Sequence, residues 1–103
     1  MKAFISQLMN GKTDEEILSE REKAVENLKA RYGEDVEIID SFFKNEPDVK
    51  VKPLWYLSKS LELLSTADVA YFCKGWEKGR GTRVENLCAI EYGIEVIEDY
   101  KEG

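Results

Sequence analysis

Residues 67–93 read ADVAYFCKGWEKGRGTRVENLCAIEYG, an apolar run, a glycine-rich basic loop and an amphipathic stretch in immediate succession. Val69, Ala70, Tyr71 and Phe72 have the β-branched and aromatic character of a parallel strand covered on both faces, so a strand is predicted over 68–73. Gly75, Gly79 and Gly81 then form a loop. Thr82-Arg83-Val84-Glu85 has capping-box spacing, in which the threonine hydroxyl accepts from the Glu85 amide and the carboxylate reaches back to the Thr82 amide. A helix is therefore predicted from Thr82, with Val84, Leu87, Cys88 and Ile90 as its core stripe and Gly93 as a left-handed stop before a strand at 94–97. A strand that feeds a helix through a glycine loop commits the chain to an α/β architecture. Ligands of such sheets sit beyond the carboxyl ends of the strands, where helix N-termini favour anions.

The remaining segments repeat this pattern. Ala3, Phe4 and Ile5 make a short buried strand over 2–6, and Ser6-Gln7-Leu8-Met9-Asn10-Gly11-Lys12 is the loop that follows it. Ser6, Gln7 and Asn10 offer hydrogen bonds there and Gly11 permits close backbone approach, although Asn10-Gly11 also suits a plain turn. Thr13-Asp14-Glu15-Glu16 is a second capping box, opening a helix to about Tyr32 with Ile17, Leu18, Arg21, Ala24, Val25, Leu28 and Tyr32 inward and Gly33 as its stop. A second strand over 36–40 ends at Asp40, which suits either a ligand contact or an Asx turn. Residues 44–52 are polar and hold Pro47, an exposed excursion suited to a lid or a dimer contact. Pro53 then starts a helix bearing Leu54, Leu57, Leu61 and Leu64 at helical spacing. Asp68 suits backbone capping where the central strand begins. With right-handed crossovers the β-α-β-α-β-α-β order predicts a parallel sheet ordered 2-1-3-4, whose first and third loops face one cleft.

The chain of 103 residues is one domain over 1–103, 43% hydrophobic and 35% charged, as expected of a soluble cytoplasmic protein with no membrane partner. Fifteen Lys and Arg against twenty-one Asp and Glu give a net charge of −6, which disfavours a nucleic acid polymer. Lys74, Lys78, Arg80 and Arg83 nevertheless cluster in the central loop, either as a solvated basic loop or as a phosphate contact. Histidine is absent, and Cys73 and Cys88 read as free thiols. No metal or cofactor is implied, and any chemistry has to run on carboxylates, hydroxyls or lysine.

GRGTRVENLCAIEYG resembles the G-T-x-x-E-x-x-x-A-x-x-x-G signature of the nucleoside 2-deoxyribosyltransferase-like superfamily, with Gly81, Thr82, Glu85, Ala89 and Gly93 in the matching positions. FISQLMNGKTDEEILSEREKAVENL is similar to the opening of a small phage and bacterial domain-of-unknown-function branch of that superfamily, which begins with S-Q-x-M-x-G-K. The resemblance spans nearly the whole chain. It implies a Rossmann-like or flavodoxin-like three-layer sandwich with a four- to five-stranded parallel sheet, and a pocket for a nucleoside or nucleoside 5′-monophosphate. By the same likeness Glu85 is the nucleophile on the anomeric carbon, for deoxyribosyl transfer or hydrolysis. The substrate-binding set is then Ser6, Gln7, Met9, Asn10, Gly11, Lys12, Gly79, Arg80, Gly81 and Thr82. The resemblance assigns no acid to protonate the departing base, for which Asp40 and Glu77 are this chain's candidates. The family's common Gly-Pro or aromatic residue is missing from the first loop, which weighs against base stacking there.

Glu85 thus has two readings, a helix cap and a carboxylate kept ionised by the helix N-terminus. The whole cleft likewise suits either an N-glycosidic enzyme or a non-catalytic module that captures a nucleotide or nucleotide-derived signal. Apolar residues around Trp55 and Tyr56 are many for so small a domain to cover, which predicts a homo-oligomer, a dimer or higher, whose partner closes the pocket.

Overall fold

The computed structural model describes residues 1–41, 43 and 45–99. Its elements are β1 (Lys2–Ser6), α1 (Asp14–Tyr32), β2 (Glu37–Ile38), α2 (Lys52–Leu64), β3 (Val69–Phe72), a 3-10 turn (Trp76–Lys78), α3 (Arg80–Glu91) and β4 (Glu95–Glu98). The four strands are all parallel and ordered β2-β1-β3-β4, as predicted. β2 is only two residues long, shorter than the predicted 36–40, because pairing with β1 covers Glu37 and Ile38 alone. Phe42, Lys44 and residues 100–103 lie outside the described set.

Period-two alternation divides the core into two layers. Ala3, Ile5, Val69, Tyr71 and Cys73 point to one side, where Ala24 and Leu28 of α1 cover them. Phe4, Ala70 and Phe72 point to the other, against Leu64 of α2 and Ala89 of α3. This is the three-layer α/β sandwich, consistent with a Rossmann-like or flavodoxin-like fold. No helix among the described residues is long and apolar enough to cross a membrane.

The helix boundaries follow local chemistry. Both bonds of the Thr13–Glu16 capping box are present at 3.1 Å, and together they hold the Glu16 carboxyl below its ordinary range. Gly33 ends α1 at φ 98°, a left-handed backbone that other residues resist. The excursion before α2 is exposed from Asn45 to Asp48. Within it the Tyr56 hydroxyl and Lys52 hold the Glu46 carboxyl below its usual range.

Two helix faces differ from expectation. On α1, Leu18 is exposed rather than inward. On α3 three of the four predicted stripe residues are turned to solvent: Val84, Leu87 and Ile90 are exposed, Cys88 is half-buried against the core as expected, and the fully buried residues are Thr82, Glu85, Asn86 and Ala89. The 3.6-residue period is right, but the face is the opposite one. Polar side chains take the inner positions because each finds a partner there, which removes the cost of burying them. Trp55 and Tyr56, read as core or subunit interface, are half-buried and pack edge to face with centroids 4.9 Å apart.

Candidate functional site at the carboxyl edge of the sheet

β1 and β3 are neighbours, so the loops that leave them emerge side by side at the switch point of the sheet. Ser6 closes β1 and is 2% exposed, and Glu85 lies just over one turn into α3 and is 7% exposed. The Ser6 hydroxyl donates to Glu85 Oε1 across 2.7 Å. Ser60, on the leucine-bearing face of α2, hydrogen-bonds the same carboxyl. One carboxyl therefore joins a strand end and two helices, seventy-nine residues of sequence separating it from Ser6.

The electrostatics of Glu85 depart from the sequence-based expectation. Burial is the largest influence and pushes its pKa above the ordinary glutamate value, and the Ser6 and Ser60 hydroxyls oppose it only in part. A helix N-terminus does not set its charge state. Glu85 is not a cap either. α3 begins at Arg80 with Gly79 as its N-cap, so the Thr82–Glu85 capping box does not form. The Thr82 hydroxyl donates instead to the carbonyls of Trp76 and Gly79, stitching the helix entry to the 3-10 turn before it.

Gly79 is needed at that entry for space rather than for an unusual dihedral. A Cβ there falls 2.5 Å from Thr82 Oγ1 and 2.9 Å from Leu8 Cδ1. Gly79→Ala is expected to cost about 1–3 kcal/mol, the range for overpacking a close contact. Denaturant unfolding of the variant checks this, and an unchanged midpoint would show that the entry relaxes freely. The Gly79 amide is spent on the Trp76 carbonyl. No described side chain caps α3, so the amides of Arg80, Gly81 and Thr82 are the open donors of its first turn.

The polar side chains of the first loop turn to α1, while its Leu8 packs beside Gly75 and Gly79 at the entry of α3. The Gln7 side-chain amide donates to the Ile17 carbonyl and to Glu20, while Lys12 pairs with Glu20 at 2.5 Å. Gln7 Oε1 is buried with no hydrogen-bond partner among the described residues. Met9 and Asn10 are exposed, and Gly11 sits at φ 78° in the turn between them and Lys12. Asp40 is exposed beyond the end of β2. The structure thus brings Ser6 and Glu85 into contact and sets Gly79, Gly81 and Thr82 around the same helix entry. Gln7 and Lys12 are engaged as loop anchors, and Arg80 is exposed in the first turn of α3.

Three contributors escaped the sequence reading. Ser60 was discoverable as a hydroxyl set among the leucines of α2. Glu20 looks like any other charge on α1 until the loop folds onto it. Asn86, buried at 6% exposed, donates to Glu98 of β4 at 2.8 Å, a pairing set by tertiary register alone. Cys73 at the end of β3 is buried and its thiol is pushed up to about 12, chiefly by desolvation, which makes it a poor nucleophile at neutral pH. Two cavities of about 380 and 360 Å³ among the described residues lie along α1, one beside Tyr71 and Asp99 and the other beside Arg21 and Val25, and neither is lined by Glu85.

No protein-family model, no curated protein and no solved structure matches this chain.

Proposed function

We propose that the carboxyl edge of the sheet, where the first loop meets the entry of α3, binds a nucleoside or nucleoside 5′-monophosphate, and that Glu85 cleaves its N-glycosidic bond. The observation that carries this reading is the buried Ser6–Glu85 contact at the carboxyl edge of the sheet. A carboxyl there, fixed by two hydroxyls on rigid elements, has the position and preorganisation that a nucleophile needs. The resemblance of Gly81, Thr82, Glu85, Ala89 and Gly93 to the deoxyribosyltransferase-like signature points the same way.

In the proposed reaction the ionised Glu85 oxygen bonds to C1′ as the C1′–N bond breaks through an oxocarbenium-like transition state. The base departs with the bond electrons and takes a proton from water or from Asp40. Water then hydrolyses the glycosyl ester, or a second base displaces Glu85 to give a new nucleoside. Ser6 and Ser60 keep the carboxylate aimed and release it as its charge is consumed. A 5′-phosphate, where present, is held by the first-turn amides of α3 and by Arg80, since Lys12 is already paired with Glu20.

A second reading, capture of a nucleotide or nucleotide-derived signal without turnover, is favoured by the deep burial of Glu85 and by the exposed position of Asp40. Chromatography of free base after incubation with a panel of nucleosides and 5′-monophosphates, with and without an acceptor base, separates the two. The enzymatic reading expects base release from at least one substrate. Saturable binding with no release from any of them promotes the binding module.

A further inference from the structure

The outward face of α3 carries Val84, Leu87 and Ile90, which are 38, 57 and 55% exposed. Its sheet-facing positions are already filled by Thr82, Glu85, Asn86 and Ala89, so rotation of the helix cannot bury this stripe within one chain. α2 lies on the same side of the sheet: a Cβ at Gly81 of α3 would sit 3.9 Å from Leu57 of α2, and Leu54, one turn before Leu57, is 60% exposed. The two helices together present apolar surface of the kind that marks an interface.

The geometry points to a second copy of this chain as the occupant, packed through α3 antiparallel to its counterpart about a two-fold axis at Leu87. The charges along the helix are what select the partner and the direction. Val84 and Ile90 are equidistant from Leu87, and so are Arg83 and Glu91, both exposed. An antiparallel pair centred on Leu87 therefore sets Val84 of one copy level with Ile90 of the other, and Arg83 level with Glu91. A parallel pair would place Arg83 beside Arg83 and Glu91 beside Glu91. The face is thus self-complementary in both apolar and charged positions, as an isologous dimer requires. The interface uses the back of the helix whose inner side carries Glu85, and it stands independently of any chemistry at that carboxyl.

Sedimentation equilibrium on the full chain tests this. The wild type is expected to be a dimer at high micromolar concentration. Leu87→Glu, which places like charges on the axis, is expected to yield monomer with an unchanged circular dichroism spectrum, since the side chain is exposed. Arg83→Glu alone and Glu91→Arg alone are each expected to weaken the dimer about tenfold, and the double exchange to restore it. A wild-type monomer throughout, or a dimer that Leu87→Glu leaves intact, overturns the proposal. So does a dimer that the double exchange fails to rescue, because the antiparallel register would then be wrong.

Discussion

Glu85→Gln is expected to lower base release by orders of magnitude while the protein folds as before. The amide keeps the shape of the side chain, and its carbonyl oxygen still accepts from Ser6 or Ser60, but it has no negative charge with which to attack C1′. Stability should move the other way. The folded pKa of Glu85 is raised above its unfolded value, so the folded state binds the extra proton between the two. The wild type then holds its full stability below the unfolded value, near 4.5, and loses part of it as pH rises through the folded value. Glu85→Gln has no such loss. Its advantage should be absent in acid and present at neutral pH, as read by urea unfolding at both. On the proposed reaction the same ionisation should set the acid limb of activity above the usual glutamate range, because the ionised carboxylate would be the attacking form. A variant that retains base release excludes Glu85 as the nucleophile.

Phe72→Ala is expected to be the most damaging core change, at about 3–5 kcal/mol against a total stability on the order of 5–15 kcal/mol. Phe72 is fully buried at the end of β3, paired in register with Ser6 on one side and Glu98 on the other. Its ring lies 5.7 Å from that of Trp76, whose carbonyl accepts the Thr82 hydroxyl. Removing the ring opens a cavity in the layer beneath α2 and α3 and loosens the turn that leads into α3. The urea midpoint should therefore fall steeply, and ligand affinity should weaken with it under conditions where the variant is still folded. A loss below about 1 kcal/mol would mean that the layer collapses around the missing ring, outside the range for such truncations.

Topology was legible in the sequence because its signals are local and mutually consistent. The apolar runs at Ala3–Phe4–Ile5 and Val69–Phe72, the capping box at Thr13 and the glycines at 33 and 93 each mark one boundary, and right-handed crossovers do the rest. The proximity of Ser6 to Glu85 followed from strand order alone. The inner face of α3 did not follow, because ranking positions by hydrophobicity places Val84, Leu87 and Ile90 in the core. Tertiary hydrogen bonds to Ser6, Ser60, Glu98 and the Trp76 carbonyl make Thr82, Glu85 and Asn86 the cheaper residues to bury. The same oversight moved the helix start: a Thr-x-x-Glu spacing reads as a capping box unless both side chains have partners elsewhere, and here both do. Lys12 and Gln7 look like ligand groups in the sequence because nothing local reveals Glu20, which reaches them only once α1 packs beside the first loop.

Intact-mass analysis of protein quenched in acid during turnover tests whether Glu85 is a covalent nucleophile. The expected result is a species heavier by one glycosyl group, localised by peptide mapping to the segment containing Glu85 and absent from Glu85→Gln. Base release without any such species, or an adduct mapped to another residue, would contradict it.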